Sequence, residues 1–352
     1  MNDVPEPDRL GDAPHPRHTD RLFGQEAAEA TFLQAWNTGR LHHGWLLTGP
    51  LGVGKATLAW RIARFLLTDP PEQATSLDPV ADHPALPRIR ALSEPGLMLL
   101  RRPWDEKTKK LRAEITVDEA RRLGGFFAMS AGGRRVVIVD AADDLNRNAA
   151  NAILKLLEEP PALATLILVS HQPARLLPTI RSRCRVLRLG PLAPDALEAA
   201  VVQAGGAPEA ASALAEGSTG AALLLAEGGA EIYETLVALY TPGQMDRGRA
   251  RQLADACAGR AGAERLDATL AAIDRLLHRT ACAGLLGPPD DATAAEAAVL
   301  SRLAPHDAAA RDWAALSQQI ADRAAHARAV NVDPAAIVWD ALARIDAQAR
   351  RV

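Results

Sequence analysis

No part of this chain constrains its fold more than the stretch Gly49-Pro50-Leu51-Gly52-Val53-Gly54-Lys55-Ala56-Thr57. It has the spacing G-x-x-x-x-G-K-[ST] of a phosphate-binding loop. Glycines there let backbone N–H groups close around phosphate oxygens, and the lysine brings a point charge to the outer phosphates. Such a loop needs a buried strand before it and a helix after it. Residues 45–48 read as that strand, and 57–67 as that helix, with Leu58, Ile62, Phe65 and Leu66 at helical spacing. The residue after the lysine should carry the hydroxyl that holds Mg²⁺, and here it is Ala56. The pattern therefore predicts a grip on phosphate through Gly49, Gly52, Gly54, Lys55 and Thr57, with the metal ligand missing, because Thr57 stands one position late to replace it directly.

Around the loop, residues 22–189 alternate short apolar runs with helical patterns, the signature of βα units building a parallel sheet. Further strands are predicted at 97–100, 136–139, 166–169 and 186–189, and helices at 117–127, 148–158 and 173–180. Thr116 and Glu119 have the spacing of a capping box. The proline-bearing stretch 68–92 reads as an irregular insertion, and residues 1–20, polar and without an apolar core, as a flexible tail.

Beyond Pro191 the strand signals stop and alanine-rich helices follow. Leu266, Leu270, Ile273 and Leu277 form one helical stripe, Trp313, Leu316, Ile320 and Ala327 another, and Asp333-Pro334 opens the last helix.

At 352 residues the chain holds roughly two to three domains. A net charge of −3 sets up no global field toward nucleic acid or an acidic membrane. Three scattered cysteines, Cys184, Cys257 and Cys282, supply neither a disulfide framework nor a thiolate zinc site. With no apolar run of about 18 residues, the expectation is a cytoplasmic protein without membrane contact.

Two more stretches carry chemistry. The run Val136-Val137-Ile138-Val139-Asp140 is a buried strand delivering a carboxylate, the natural partner of a phosphate loop, and Ala141 follows it. Asp143 and Asp144 read as helix-start or surface carboxylates. Arg181, Arg183 and Arg185 flank Ser182 and Cys184; they fit a solvated basic face, or a guanidinium reaching a neighbouring subunit's γ-phosphate. Lys107, Lys109, Lys110 and Arg112 read as a solvated loop before a DNA or partner contact, and His42 and His43 as packing or surface residues.

The phosphate loop, Asp140 on its strand, Asn151-Ala152-Ile153-Leu154-Lys155-Leu156-Leu157-Glu158-Glu159-Pro160-Pro161 and Ser182-Arg183-Cys184 together resemble the clamp-loader AAA+ family of bacterial DNA polymerase III. The resemblance covers residues 22–189 well and the rest by architecture alone. It implies an α/β AAA+ P-loop nucleotide-binding module with a parallel sheet at 21–190, a small helical lid at 191–240, and an all-α collar for oligomerisation at 241–352.

It further implies a hetero-oligomer with γ/τ and δ subunits, acting on the sliding clamp and primed DNA as part of a DNA-directed DNA polymerase, a nucleotidyltransferase. In that assembly Arg183 would act as a trans-acting arginine finger. ATP or ADP is the implied ligand of the loop and Asp140, with no zinc. An ATPase member would carry a glutamate after Asp140 and an arginine in the lid turn near Gly217-Ser218-Thr219-Gly220; this chain has Ala141 and glycine. These departures favour a stator-like member over a γ/τ-like motor. The alternatives are an ATPase hydrolysing Mg-ATP itself, and a phosphate-loop DNA-binding protein outside replication.

Overall fold

The structure is a computed structural model that describes residues 5–352 apart from 12, 129–131, 211–212, 242–243, 260–261 and 290–291. The chain divides into two compact units, residues 1–208 with 217–220, and residues 209–216 with 221–352.

In the first unit, α1 (Glu26–Asn37) precedes β1 (Gly44–Thr48), and α2 (Lys55–Leu66) leaves the phosphate loop. After α3 (Ala85–Arg90) come β2 (Leu97–Leu100) and a small antiparallel hairpin of β3 (Trp104–Asp105) and β4 (Lys110–Leu111). Next are α4 (Val117–Ala128), β5 (Arg135–Val139), α5 (Arg147–Glu158), β6 (Ala164–Ser170), α6 (Pro178–Arg181), β7 (Arg185–Arg188) and α7 (Pro194–Gln203).

Five strands form one parallel sheet in the order β2-β5-β6-β1-β7. The runs of Val, Ile and Leu that mark these strands are continuous because both faces are covered. Val136 and Ile138 face one apolar cluster with Trp45, Leu47, Phe32 and α2, while Val137 and Val139 face a second with Leu46, Leu123 and Ile153 of α4 and α5. The strand period of two thus serves two cores at once.

Several local expectations differ from what forms. The 68–92 insertion is irregular up to α3, which it contains, and it packs onto the module by burying Leu77 and Ile89. Glu119 pairs with Arg122 at 2.8 Å, so it is engaged away from Thr116. The 173–180 helix is two pieces, a short turn at Pro173–Arg175 and then α6, because Pro178 cannot continue a helix begun before it. Lys107, Lys109, Lys110 and Arg112, by contrast, are exposed at the β3–β4 hairpin as the expected solvated loop, with Lys109 paired to Glu106 and Arg112 to Asp105.

The second unit is helical: most of α8 (Thr219–Leu224), then α9 (Ala230–Tyr240), α10 (Arg247–Asp255), α11 (Ala263–Leu286), α12 (Glu296–Leu303), α13 (Asp307–Ala329) and α14 (Pro334–Ala349). The stripes centred on Ile273 and on Trp313 face its interior. Asp333 accepts from the Ala336 N–H and caps α14. A buried network pins the unit: Glu296 accepts from Tyr233, from Arg279 at 2.6 Å and from the Ala292 N–H at 2.7 Å. No helix among the described residues is long and apolar enough to cross a membrane.

Candidate phosphate cradle and exposed arginine

β1 delivers the loop at the end of the sheet, and the backbone shows why its glycines are needed. Gly49, Gly52 and Gly54 have φ of 147°, 79° and 100°, values that side chains rarely tolerate. A Cβ on Gly49 would also stand 2.2 Å from the Leu189 carbonyl oxygen. Lys55 begins α2, is 3% exposed, and donates from Nζ to the Gly49 carbonyl at 2.7 Å and to that of Pro50. Burial lowers its pKa to about 8, against the pull of Asp140 and Asp143. Thr57 is half-buried on the first turn of the same helix.

Asp140 follows β5, and its N–H donates to the Leu100 carbonyl at 2.9 Å, extending the strand pairing by one residue. It is 8% exposed, and its Oδ2 has no hydrogen-bond partner among the described residues. Burial first, and the nearby Asp8 carboxylate second, push its pKa up to about 7 in spite of Lys55. Ala141 behind it is 7% exposed and carries no base.

Asp143 is no surface carboxylate. It accepts from Ser170 Oγ at 2.8 Å and from the N–H groups of His171 and Gln172 at 2.6 and 3.1 Å, fastening the end of β6. Asp144 is paired with Arg102 at 3.2 Å, and burial raises its pKa. Both stand in the short helical turn Ala142–Asp144, as helix-start carboxylates, and what the sequence did not show is that Asp143 also fastens a strand end 27 residues away.

His171 was not foreseen in the sequence. Its pKa falls to about 4 through burial and the Lys55 charge, so near neutral pH it is an uncharged ring beside the loop. The turn Gly217–Gly220 rests on the loop itself: Ser218 Oγ donates to the Leu51 carbonyl at 2.8 Å, and a Cβ on Gly52 would meet Gly220 N at 2.7 Å.

These residues fit a phosphate, through glycines in left-handed conformations and a lysine at the helix start. Ala56 offers no hydroxyl after the lysine and Ala141 no carboxylate after Asp140.

Arg183 lies elsewhere on the unit. α6 and β7 hold it, and β7 is an edge of the sheet. Its guanidinium is 37% exposed, donates to the Thr179 carbonyl at 3.1 Å and pairs with Glu158 of α5 at 2.9 Å. Cys184 beside it is largely buried, which drives its thiol pKa up to about 12 and keeps it unreactive. His42 and His43 stack on each other, and each ring bonds to a backbone carbonyl, those of Gly44 and Leu157.

The model of the family described as "DNA polymerase III, delta subunit" matches residues 24–193. The match covers just under half of the chain. It takes in the cradle, Asp140 and Arg183 together, all within the unit that carries the five-stranded parallel sheet.

Among curated relatives, the delta-prime subunit of DNA polymerase III from Pseudomonas aeruginosa is 40% identical over 158 residues, 44% of this chain and 45% of that one. The delta-prime subunit of Escherichia coli is 34% identical over 193 residues, 49% and 54% of the two chains. A gamma/tau subunit of Mycobacterium tuberculosis is 30% identical over 206 residues, 53% and 34% of the two chains. The chain thus spans about half the length of the delta-prime relatives it matches. Solved structures also align: a Thermotoga maritima RuvB motor at 17% identity and TM-score 0.36, covering 60% of this chain and 63% of that one. A gamma subunit-related protein of the same organism aligns at 17% identity and TM-score 0.35, covering 90% and 99%.

Proposed function

We propose that this chain is a delta-prime-type stator subunit of a DNA polymerase III clamp loader, and that it lends Arg183 in trans to the ATP site of a neighbouring subunit. The observation that carries the reading is the contrast within one module: a phosphate cradle stripped of hydroxyl, base and lid arginine, and a guanidinium held at a sheet edge. Residues 191–240 act in this reading as the lid and 241–352 as the collar that joins the γ/τ and δ subunits. The assembly, not this chain alone, engages the sliding clamp and primed DNA.

Arg183 is suited to the task. A guanidinium cannot lose its proton near neutral pH and matches phosphate oxygens with a planar fork of donors. Its partner Glu158 is 48% exposed, so the pair is a weak surface contact that a phosphate can displace. The short α6 turn and the β7 ladder hold the backbone on either side, so little reordering is needed when a neighbour docks.

The test is reconstitution with γ/τ, δ and the clamp carrying Arg183→Ala. Clamp-stimulated ATP turnover should fall by about 10³-fold or more, the scale of such arginines in phosphoryl transfer. Turnover equal to wild type would refute the trans role.

A second reading, an ATPase in its own right, draws on the retained glycines, Lys55 and Asp140. Mg-dependent hydrolysis by the isolated chain, abolished by Lys55→Ala, would establish it in place of the first.

A further inference from the structure

The described residues between 5 and 20 do not hang free. His15 is 3% exposed, meets Trp60 of α2 edge-on at 5.8 Å between ring centres, and caps the short turn Pro16–His18. Arg64, 2% exposed on the same helix, donates to the carbonyls of Arg17 and Thr19 at 2.9 and 2.6 Å, and Arg61 donates to that of Asp20. The helix that leaves the phosphate loop is thus the anchor for the segment that precedes the module.

The acidic end of the segment reaches the sheet. The Asp8 carboxylate is 1% exposed; it lies 2.9 Å from His15 Nε2 and accepts from Arg101, which also binds Glu6 at 2.9 Å. Arg101 follows Leu100, the residue whose carbonyl receives the Asp140 N–H, so Asp8 is held at the same sheet end as Asp140. Burial works to raise the pKa of Asp8, but His15 and Arg101 outweigh it and keep the group ionised. A buried carboxylate costs several kcal/mol unless it is paired. This one has the Arg101 guanidinium as its ion-pair partner and the His15 ring beside it, so the contact is built into the fold. Leu10 completes the arrangement: its Cδ2 stands 3.6 Å from where a Cβ on Gly220 would be, on the turn that itself rests against Gly52.

We propose that residues 5–20 form an intramolecular strap that competes with nucleotide at the phosphate cradle. Glu6 and Asp8 engage Arg101, and Leu10 lies on the turn that covers Gly52. The proposal rests on the reading of Gly49 to Lys55 as a phosphate cradle. Its physical content is competition by charge and by cover. The strap occupies Arg101, a guanidinium beside Asp140 that would otherwise be available to an anion. It sets a fixed negative charge at the sheet end where phosphate oxygens would arrive. Leu10 and the turn then cover the glycine face of the loop. Nucleotide enters when the strap lifts.

The experiment uses the full chain and a fluorescent ADP analogue, titrated with Mg²⁺, alongside amide hydrogen exchange of residues 5–20. The double variant Glu6→Gln/Asp8→Asn should bind the analogue at least tenfold more tightly than wild type. Adding Lys55→Ala should cancel that gain. The strap amides should be protected in wild type and exchange fast in the double variant. Leu10→Ser, which removes the cover, adds no charge and leaves the ion pairs in place, should tighten binding in the same direction and guards against a folding defect in the first variant. Equal affinities, with the strap released in the variant, overturn the competition. Fast exchange of the strap in wild type overturns the strap itself. A released variant that takes up no analogue at millimolar concentration overturns the underlying cradle reading.

Discussion

The two ends of this module treat a guanidinium and a phosphate site in opposite ways. At the cradle, charge is drawn inward: Lys55 is tied to its own loop, Asp140 is buried with its pKa pushed up to about 7, and Arg101 is engaged by carboxylates. At the β7 edge, charge is held outward, and Arg183 has an exposed acid and one carbonyl as its partners among the described residues. Burial decides the difference. A group closed off by partners is committed to the fold, whereas one held at the rim remains exchangeable with a ligand carried by another molecule.

The sharpest way to break this contrast is Arg183→Ala, for which clamp-stimulated turnover should drop by about 10³-fold while the urea midpoint of the isolated chain stays within error. A large loss of stability would place Arg183 with the buried groups. Next in size, Ala141→Glu puts back the base of an active ATPase in a pocket only 7% exposed. Because the carboxylate must be buried beside Asp140, unfolding should be easier by about 3 kcal/mol or more, with no gain in turnover. A stable, hydrolysing variant would show that the cradle is merely unfurnished.

A third effect comes from pH. The Asp140 pKa rises from its ordinary 3.8 to about 7 on folding. Between those values the folded state keeps a proton that the unfolded chain has lost, so stability falls as pH rises from about 4 to about 7 and is level above. Asp140→Asn should flatten this limb and gain about 2 kcal/mol at pH 8, read from urea midpoints across the range. Parallel curves for the two proteins would mean that Asp140 is solvated. The smallest expected effect belongs to Glu158→Ala, which removes the exposed partner of Arg183 and should change stability by less than about 1 kcal/mol. A larger loss would make that pair part of the core.

Much of the module was legible from local patterns. The strand at 97–100 is matched residue for residue by β2, and those at 45–48 and 136–139 by β1 and β5 within one residue, because runs of Val, Ile and Leu bounded by polar residues have few other stable solutions. The loop was legible because its chemistry is contiguous. The strap was not: residues 1–20 are polar and without a period, and the Asp8 to Arg101 contact joins positions 93 apart. Nor was the task of Asp143, whose partners lie at and just after the end of β6, or that of Ser218, which reaches the loop from 167 residues away.

What the amino-acid order determined by itself is everything carried by near neighbours along the chain: the alternating strands and helices, the glycine loop with its lysine, the absent hydroxyl at Ala56 and base at Ala141, and the arginine in its triplet. Tertiary structure alone decided which charges are shut in and which stay at the rim. Periodicity fixes the face a side chain lies on, but burial depends on what distant segments bring to that face, and only the folded chain sets those encounters.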